Sequence, residues 1–483
     1  MSEDLNASAT QSTQEGPRIY NLFPRLVGPI DKWMEHVTRA KDMGFSWIYV
    51  NPLNYPGFSG SLYATKDFYK FNPAFAPSDA TADAREGWDP FRQFVEDCHS
   101  IGVQVILDLV INHTSIDAML VEEHPDWYLH KWAAISKADN RPVYFFAGEK
   151  DPRDTSQAKQ WPSRSFRIEW RVANPSAIDP ADARKVTVWG DLAEIDNEYS
   201  ADRNNLWQFW QDLLGFYLSL GVDGFRCDAA YQVPADLWQT LISFAKRTNA
   251  AVIFLAETLG CTLKQLQALQ SAGFDFIFSS SKFWDFTQPW ALEQYNSFRV
   301  FAPSVSFPET HDTTRLAAET GGRQDVQEFK YFFAAIFSAG VMMPVGYEYG
   351  FQGKLDVVTT DPTDWEEPTF DITSELAVIN TFKKSLRTLN EDGAMVQFPY
   401  GDTNILVLRK TSLDEGQHFL LIYNKNWSEP HRGYLADLTY FLPLGTPIYC
   451  LTVDGNRELV PDNSWDAMIA PNDYVLFLQE CDE

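Results

Sequence analysis

The feature that most constrains this chain is a repeated alternation of short apolar runs with amphipathic stretches of helical length. From residue 18 onward, "RIYNLF" is followed by "DKWMEHVTRAKDMG" and then by "FSWIYVNP". The same order recurs: "DPFRQFVEDCHSIG" leads into "VQVILDLV", "LWQFWQDLLGFYLSLG" into "VDGFRCDA", and "ADLWQTLISFAKRTN" into "AVIFLAETLG". "LKQLQALQSAG" then leads into "FDFIFSS", and "QEFKYFFAAIFSAG" into "VMMPVGYEYG". Strands alternating with helices of about 10–15 residues make parallel βαβ units. Several of the helical stretches stop at a glycine, the residue suited to the left-handed position just past a helix. With "SVSFPE" at 304–309 the strands number eight, which selects a closed (β/α)8 barrel over an open sheet.

The alternation is interrupted once and ends once. Between "NHTS" (112–115) and residue 200 the chain is rich in Trp, Pro and charge, with no clear period. A segment that long inside a compact domain is usually functional, and it is read as a subdomain inserted after the third strand. After a helical stretch around 374–389, "NILVLRK", "HFLLIYNKN", "PIYCLTV" and "DYVLFLQE" are β-type runs without intervening helices. They predict a C-terminal antiparallel β-domain. The expected division is a disordered tail over 1–17, a barrel over 18–113 and 200–392, an inserted subdomain over 114–199 and a β-domain over 393–483.

Charge narrows the partners. The 66 acidic and 39 basic residues give a net charge of −27, which opposes binding to nucleic acid or an anionic membrane surface, since both require a basic footprint. A neutral substrate fits this balance. No apolar run approaches the roughly 18 residues of a membrane span. The start, "MSEDLNASATQSTQEGPR", lacks the basic and apolar regions of a secretory signal, and five cysteines without metal or disulfide spacing read as reduced thiols. The expectation is a cytoplasmic protein. Oligomeric state is not legible in the sequence.

In "GVDGFRCDAA" (221–230), Arg226 and Asp228 stand at i and i+2 on one side of a core strand. Charged residues are rarely buried unless paired, so this pair asks for a purpose. Active sites of such barrels gather at the C-terminal ends of the strands. There the third strand offers Asp108, Asn112 and His113, the fourth Arg226 and Asp228, and the fifth Glu257. The seventh is followed by Glu309, His311 and Asp312. Several carboxylates in one cleft repel and shift one another's pKa values. The chemistry that uses such a set is glycosidic bond cleavage. One carboxylate attacks the anomeric carbon and a second acid protonates the leaving oxygen, roughly 5–5.5 Å away in retaining enzymes. Neighbouring strands lie about 4.8 Å apart, so Asp228 and Glu257 can face each other at such a distance. The residues alone do not divide the roles among the acids.

"DLVINH", "GFRCDAA", the Glu of "AETLG" and the His-Asp of "ETHD" resemble the four short conserved regions of the α-amylase superfamily (glycoside hydrolase family 13). Order and spacing agree, with 120 residues from Asp108 to Asp228, 29 to Glu257 and 55 to Asp312. "WGDLAEID", with Asp191, resembles a fifth region, and "GSLYATKDFYKFNP" the segment that carries a sugar-stacking Tyr, here Tyr63. The resemblance implies Asp228 as nucleophile, Glu257 as general acid/base and Asp312 as transition-state stabiliser. It implies Arg226, His113 and His311 around the bound sugar and Asp228, Tyr63 stacked on that sugar, and Asp108 and Asn112 orienting the site. No cofactor is required; a calcium ion at Asn112 and Asp191 is the one metal it suggests. "AAYQ" replaces the Lys-His common on the leaving-group side, which places Tyr231 among the substrate-binding candidates and leaves acceptor recognition open. Ala64 stands where exo-acting α-glucosidases carry an Asp. The implied activity is a retaining α-glycosidase on α-1,4-linked glucans or maltooligosaccharides. The alternative is a glucosyl- or maltosyltransferase that passes the unit to a sugar instead of water.

Overall fold

The computed structural model describes residues 15–81, 85–148, 150–179 and 182–481. Eight strands close into a barrel in sequence order: β1 (Arg18–Leu22), β2 (Trp47–Val50), β3 (Gln104–Leu109), β4 (Gly224–Cys227), β5 (Ile253–Ala256), β6 (Phe276–Phe278), β7 (Ser304–Ser306) and β8 (Gly340–Pro344). Neighbours are parallel throughout, and β1 completes the ring by pairing with both β2 and β8. These are the eight runs picked out in the sequence. The (β/α)8 architecture is as expected.

Alternation along each strand sorts side chains between two cores. Phe225 and Cys227 of β4 join the layer between strands and helices, with Leu107 and Leu109 of β3 and Phe254 and Ala256 of β5. The opposite parity fills the barrel with Ile19, Tyr49, Ile106, Ile253, Leu255, Phe278 and Met342. Arg226 and Asp108 share a rung between β3 and β4, so they occupy the interior parity at its upper end.

Gly44, Gly102, Gly221 and Gly273 precede β2, β3, β4 and β6, with φ of 85°, 76°, 91° and 86°. A residue with a Cβ would be strained at each of these helix ends. Gly340, at the end of "IFSAG", is different: it already belongs to β8. The helix before it, Gln324–Phe337, is closed by two buried lysines. Lys383 Nζ donates to Ala335 O (2.9 Å) and Ser338 O (2.8 Å), and Lys410 Nζ donates to Ile336 O (3.3 Å) and Phe337 O (2.7 Å). Their N–H groups satisfy carbonyls that the end of the helix leaves without an intrahelical partner.

Between β3 and β4 the chain builds antiparallel structure: a three-stranded sheet (Pro142–Phe145, His130–Ser136, Phe166–Val172), a ribbon (Ser176–Asp179 with Asp182–Val188), and a strand pair (His113–Ser115 with Leu192–Glu194). After the barrel, six strands form one antiparallel sheet in the order Met395–Phe398, Ile405–Thr411, Gln417–Asn424, Tyr474–Glu480, Ile448–Leu451, Arg457–Leu459. Leu406, Leu408, Phe419 and Leu421 face the barrel helices, while Val407, Leu420 and Ile422 face a second core. Most of the tail expected at 1–17 lies outside the described residues. Residues 15–17, however, are bound: Gly16 N–H donates to Asn390 Oδ1, Glu15 pairs with Arg18 and Lys384, and Pro17 O accepts from Val341. All five cysteines are free, as expected. No helix among the described residues is long and apolar enough to cross a membrane.

Candidate active site

The upper ends of β3, β4 and β5 bring three acids and one cation together. Arg226 Nη1 donates to both oxygens of Asp108 (3.0 Å each) and to Asp228 Oδ1 (2.7 Å). One guanidinium thus bridges a fully buried carboxylate and one at the mouth of the barrel. Arg226 is itself 3% exposed. Burial would lower its pKa, but Asp108, Tyr49, Tyr63 and Asp228 together outweigh that and hold it well above its ordinary value. Burial raises Asp108 despite Arg226. Two phenols lend it further support: Tyr49 and Tyr63 both donate to Asp108 Oδ2 at 2.7 Å.

Cys227 and Ala256 share a rung, so the residues that follow them, Asp228 and Glu257, stand side by side as β4 and β5 leave the barrel. Glu257 N–H donates to Cys227 O (3.1 Å) and Asp228 N–H to Leu109 O (3.1 Å), which fixes both acids to the ladder. Between them Ala229 adopts φ 39°, ψ 48°, a left-handed conformation that costs an L-residue roughly 1–2 kcal/mol. Its N–H donates to Glu257 Oε2 (2.9 Å). Burial pushes the Glu257 carboxyl up to about 7; Arg226 opposes this, and Asp228 and Asp312 reinforce it. Leu259, Phe278, Phe307 and Met342 supply the apolar floor.

Asp312 lies in the loop after β7 and is the exposed member, with 58% of its side chain open to solvent and Oδ2 3.2 Å from His311 Nε2. Tyr63 stacks on His311 at 5.8 Å and 9°, and its hydroxyl lies 2.8 Å from His311 Nε2. Since Tyr63 commits its proton to Asp108, His311 donates from Nε2 and leaves Nδ1 as an acceptor. Burial lowers both His311 and His113, keeping them neutral. His113 Nε2 donates to Tyr63 O (3.1 Å). Tyr231 sits near enough to Glu257 for that carboxylate to add to the effect of burial, which raises the phenol to about 12.

The glucanotransferase domain of glycogen debranching enzyme matches this chain over residues 13–132. An α-1,4-glucan:maltose-1-phosphate maltosyltransferase of Burkholderia pseudomallei is 23% identical over 459 residues, covering 91% of this chain and 36% of that protein. A 4-α-glucanotransferase of Thermotoga neapolitana is 25% identical over 350 residues, covering 68% of this chain and 70% of that protein. Among solved structures, an α-amylase from Geobacillus thermoleovorans superposes with a TM-score of 0.69 at 16% identity, covering 97% of this chain and 99% of that one. The chain is thus similar in sequence to enzymes of α-glucan transfer and shares its fold with an α-amylase. It spans between about a third and a half of the length of the first curated relatives it matches.

The candidate residues do not all converge. Asp108, Arg226, Asp228, Glu257, His311, Asp312 and Tyr63 form one connected cluster. Glu309 does not join it: it is fully buried, and Arg315 Nη1 donates to its Oε1 at 2.8 Å. The calcium pair does not converge either. In the ladder of 113–115 with 192–194, Leu192 pairs with Ser115 and Glu194 with His113. Asn112 and Asp191 therefore lie at opposite ends, about four strand residues or roughly 13 Å apart. Ile195 faces Asn112, its N–H donating to Asn112 O (3.0 Å), and Glu194 accepts from Lys131 Nζ (3.1 Å). Asn112 turns its amide nitrogen to Gln232 Oε1 (3.4 Å) and keeps Oδ1 buried without a hydrogen-bond partner. One amide oxygen and one carboxylate carried at opposite ends of that ladder are far from the six to eight oxygens that calcium takes, so these two residues alone do not make a site for that ion. Among the described residues no group of three His, Cys, Asp or Glu is arranged for a metal.

Sequence reasoning missed Tyr49 and Asn51. Asn51 Nδ2 donates to Tyr63 Oη at 3.1 Å and to Tyr49 Oη at 3.2 Å. The signal was available: "YVN" places two polar groups at i and i+2 on a core strand, as "RCD" does in β4.

Proposed function

We propose that the chain is a retaining enzyme acting on α-1,4-linked glucans or maltooligosaccharides through a covalent glycosyl-enzyme. The observation that carries this reading is the contrast between two neighbouring carboxyls. Asp228 accepts directly from the Arg226 guanidinium at 2.7 Å, whereas burial lifts Glu257 to about 7 and favours its acid form. A carboxylate paired with a cation beside a carboxyl raised by burial suits the division into nucleophile and acid. In the first step an Asp228 oxygen forms a bond to the anomeric carbon. The glycosidic C–O bond breaks, its electron pair stays on the leaving oxygen, and that oxygen takes the proton of Glu257. In the second step ionised Glu257 accepts a proton from the incoming hydroxyl, whose oxygen displaces Asp228. Asp312, exposed at the mouth, faces the positive charge that develops on the sugar. His311 and Tyr63 present a ring surface and donors to the bound unit, and Tyr231 and Gln232 border the leaving-group side.

Water or a sugar can supply the second hydroxyl. Relatives named for maltosyl and glucan transfer support the transferase reading, and relatives named as an α-amylase and a cyclomaltodextrinase support hydrolysis. Incubation with maltoheptaose separates the two. Products only shorter than the substrate mean hydrolysis, products both longer and shorter mean transfer, and no change points to a different donor such as a sugar phosphate. Asp228→Asn should abolish turnover with the fold intact. Parental rates in that variant would refute the mechanism.

A further inference from the structure

The residue after the proposed nucleophile is held in a conformation that alanine avoids, and its backbone amide is aimed at the proposed acid. Strained backbone persists only where its surroundings over-determine it, and here they do. Asp228 N–H is tied to Leu109 O, Gln232 N–H donates to Ala229 O (2.8 Å), and Trp238 Nε1 donates to Ala230 O (3.0 Å). The turn is anchored on both sides of Ala229, and its N–H has one partner, Glu257 Oε2.

The geometry points to Ala229 as a positioning residue that decides which oxygen of Glu257 carries the catalytic proton. In a protonated carboxyl the hydroxyl oxygen is the weaker acceptor, so an N–H bonded to Oε2 makes Oε2 the carbonyl-type atom and leaves the proton on Oε1. When Oε1 gives that proton to the leaving oxygen, the negative charge that appears on the carboxylate is met by an amide already in place. Donors fixed before charge develops cost no reorganisation during the step. Oε1 then recovers a proton from the incoming hydroxyl, and the amide bond persists through both steps. The other groups facing Glu257 are Arg226 and Asp228 from β4, Asp312 after β7, and Tyr231 and Cys261. Ala229 supplies the backbone hydrogen bond among them. The inference rests on the proposed role of Glu257.

Selective 15N labelling of alanine tests it without any substrate, with the Ala229 signal assigned by its loss in Ala229→Gly. The Ala229 amide shift should titrate with a midpoint near pH 7 in the parent and be flat across that range in Glu257→Gln. A flat parent signal overturns the proposal. In kinetics, Ala229→Val, whose branched side chain resists positive φ, should lower kcat about 10- to 100-fold with KM changed less than about threefold. It should also move the alkaline limb of kcat/KM above 7, because the lost amide bond had favoured ionised Glu257. Ala229→Gly, which holds positive φ without strain, should keep that limb in place. An unmoved limb in Ala229→Val overturns the proposal; if that variant fails to fold, the amide titration decides. A silent amide together with an inactive Asp228→Asn would remove this inference alone. An active Asp228→Asn would remove the catalytic reading itself.

Discussion

Replacing Glu257 with Gln tests the electrostatic design of the site most directly. An ordinary glutamic acid at 4.5 is protonated in about 3 of 1,000 molecules at pH 7, whereas one at about 7 is protonated in half of them. The burial that raises Glu257 therefore increases the acid-competent fraction about 150-fold at neutral pH. The rise costs about 3 kcal/mol at about 1.4 kcal/mol per pH unit. That cost has a direction. Between pH 4.5 and 7 the folded state holds more protons than the unfolded chain, so stability falls as pH rises through that window. Gln is neutral throughout and carries no such term.

Three results follow. Parental kcat/KM on maltoheptaose should decline above about pH 7, and Glu257→Gln should lose about 10²- to 10⁴-fold with that limb abolished. An activated donor such as α-maltosyl fluoride, whose leaving group needs no proton, should recover most of the loss in the first step. In urea unfolding, the variant should gain up to about 3 kcal/mol on the parent between pH 5 and pH 8. The reasoning is refuted if the limb near 7 survives in Glu257→Gln, or if the stability difference is the same at both pH values.

Two further substitutions probe parts of the fold outside the cleft. Glu309→Gln leaves Arg315 buried without its counter-charge, so it should cost about 3–5 kcal/mol in stability while the folded protein keeps its kcat/KM. Thermal melts with activity assays check this, and loss of activity at unchanged stability would return Glu309 to the site. Burial lowers Lys410 from 10.5 to about 8, so between those values the unfolded chain binds more protons and stability should rise with pH. Lys410→Met should flatten that rise in urea midpoints measured from pH 8 to 10, and a parental slope in the variant would contradict it.

The barrel was legible because its repeating unit is written locally. Apolar runs are bounded by helical periods, and glycines stand where the chain must take positive φ, as at Gly44, Gly102, Gly221 and Gly273. The inserted region was not legible as sheet. In Phe166–Val172 no residue is fully buried, and in His130–Ser136 three consecutive residues are, so the alternation that reveals a strand with one buried face is missing. The β-domain runs could be read as strands, yet not which side would meet the barrel, because Ile405–Thr411 and Gln417–Asn424 are apolar on both faces. Only packing tells Leu406 from Val407.

The same limit explains which site residues were found. Sequence order brought Asp108, Arg226, Asp228 and Glu257 to the rim because parallel strands in a closed barrel all end on one side. It did not tell a carboxylate that faces the cleft from one that turns away. Glu309, three residues before Asp312, is drawn off by Arg315, a cation six residues ahead whose reach depends on how the loop after β7 folds. The calcium pair failed for a related reason. Asn112 and Asp191 meet only if the strands that carry them are in the right register, and the observed register puts Glu194 opposite His113 and Ile195 opposite Asn112. A slip of a few residues along an antiparallel pair moves a side chain by about 3.3 Å per residue, which is beyond what spacing in a single sequence can fix. Charge type and strand parity can therefore be read before folding, while register and salt-bridge partner are decided by it. In this chain those two later choices separate the proposed catalytic acids from their neighbours.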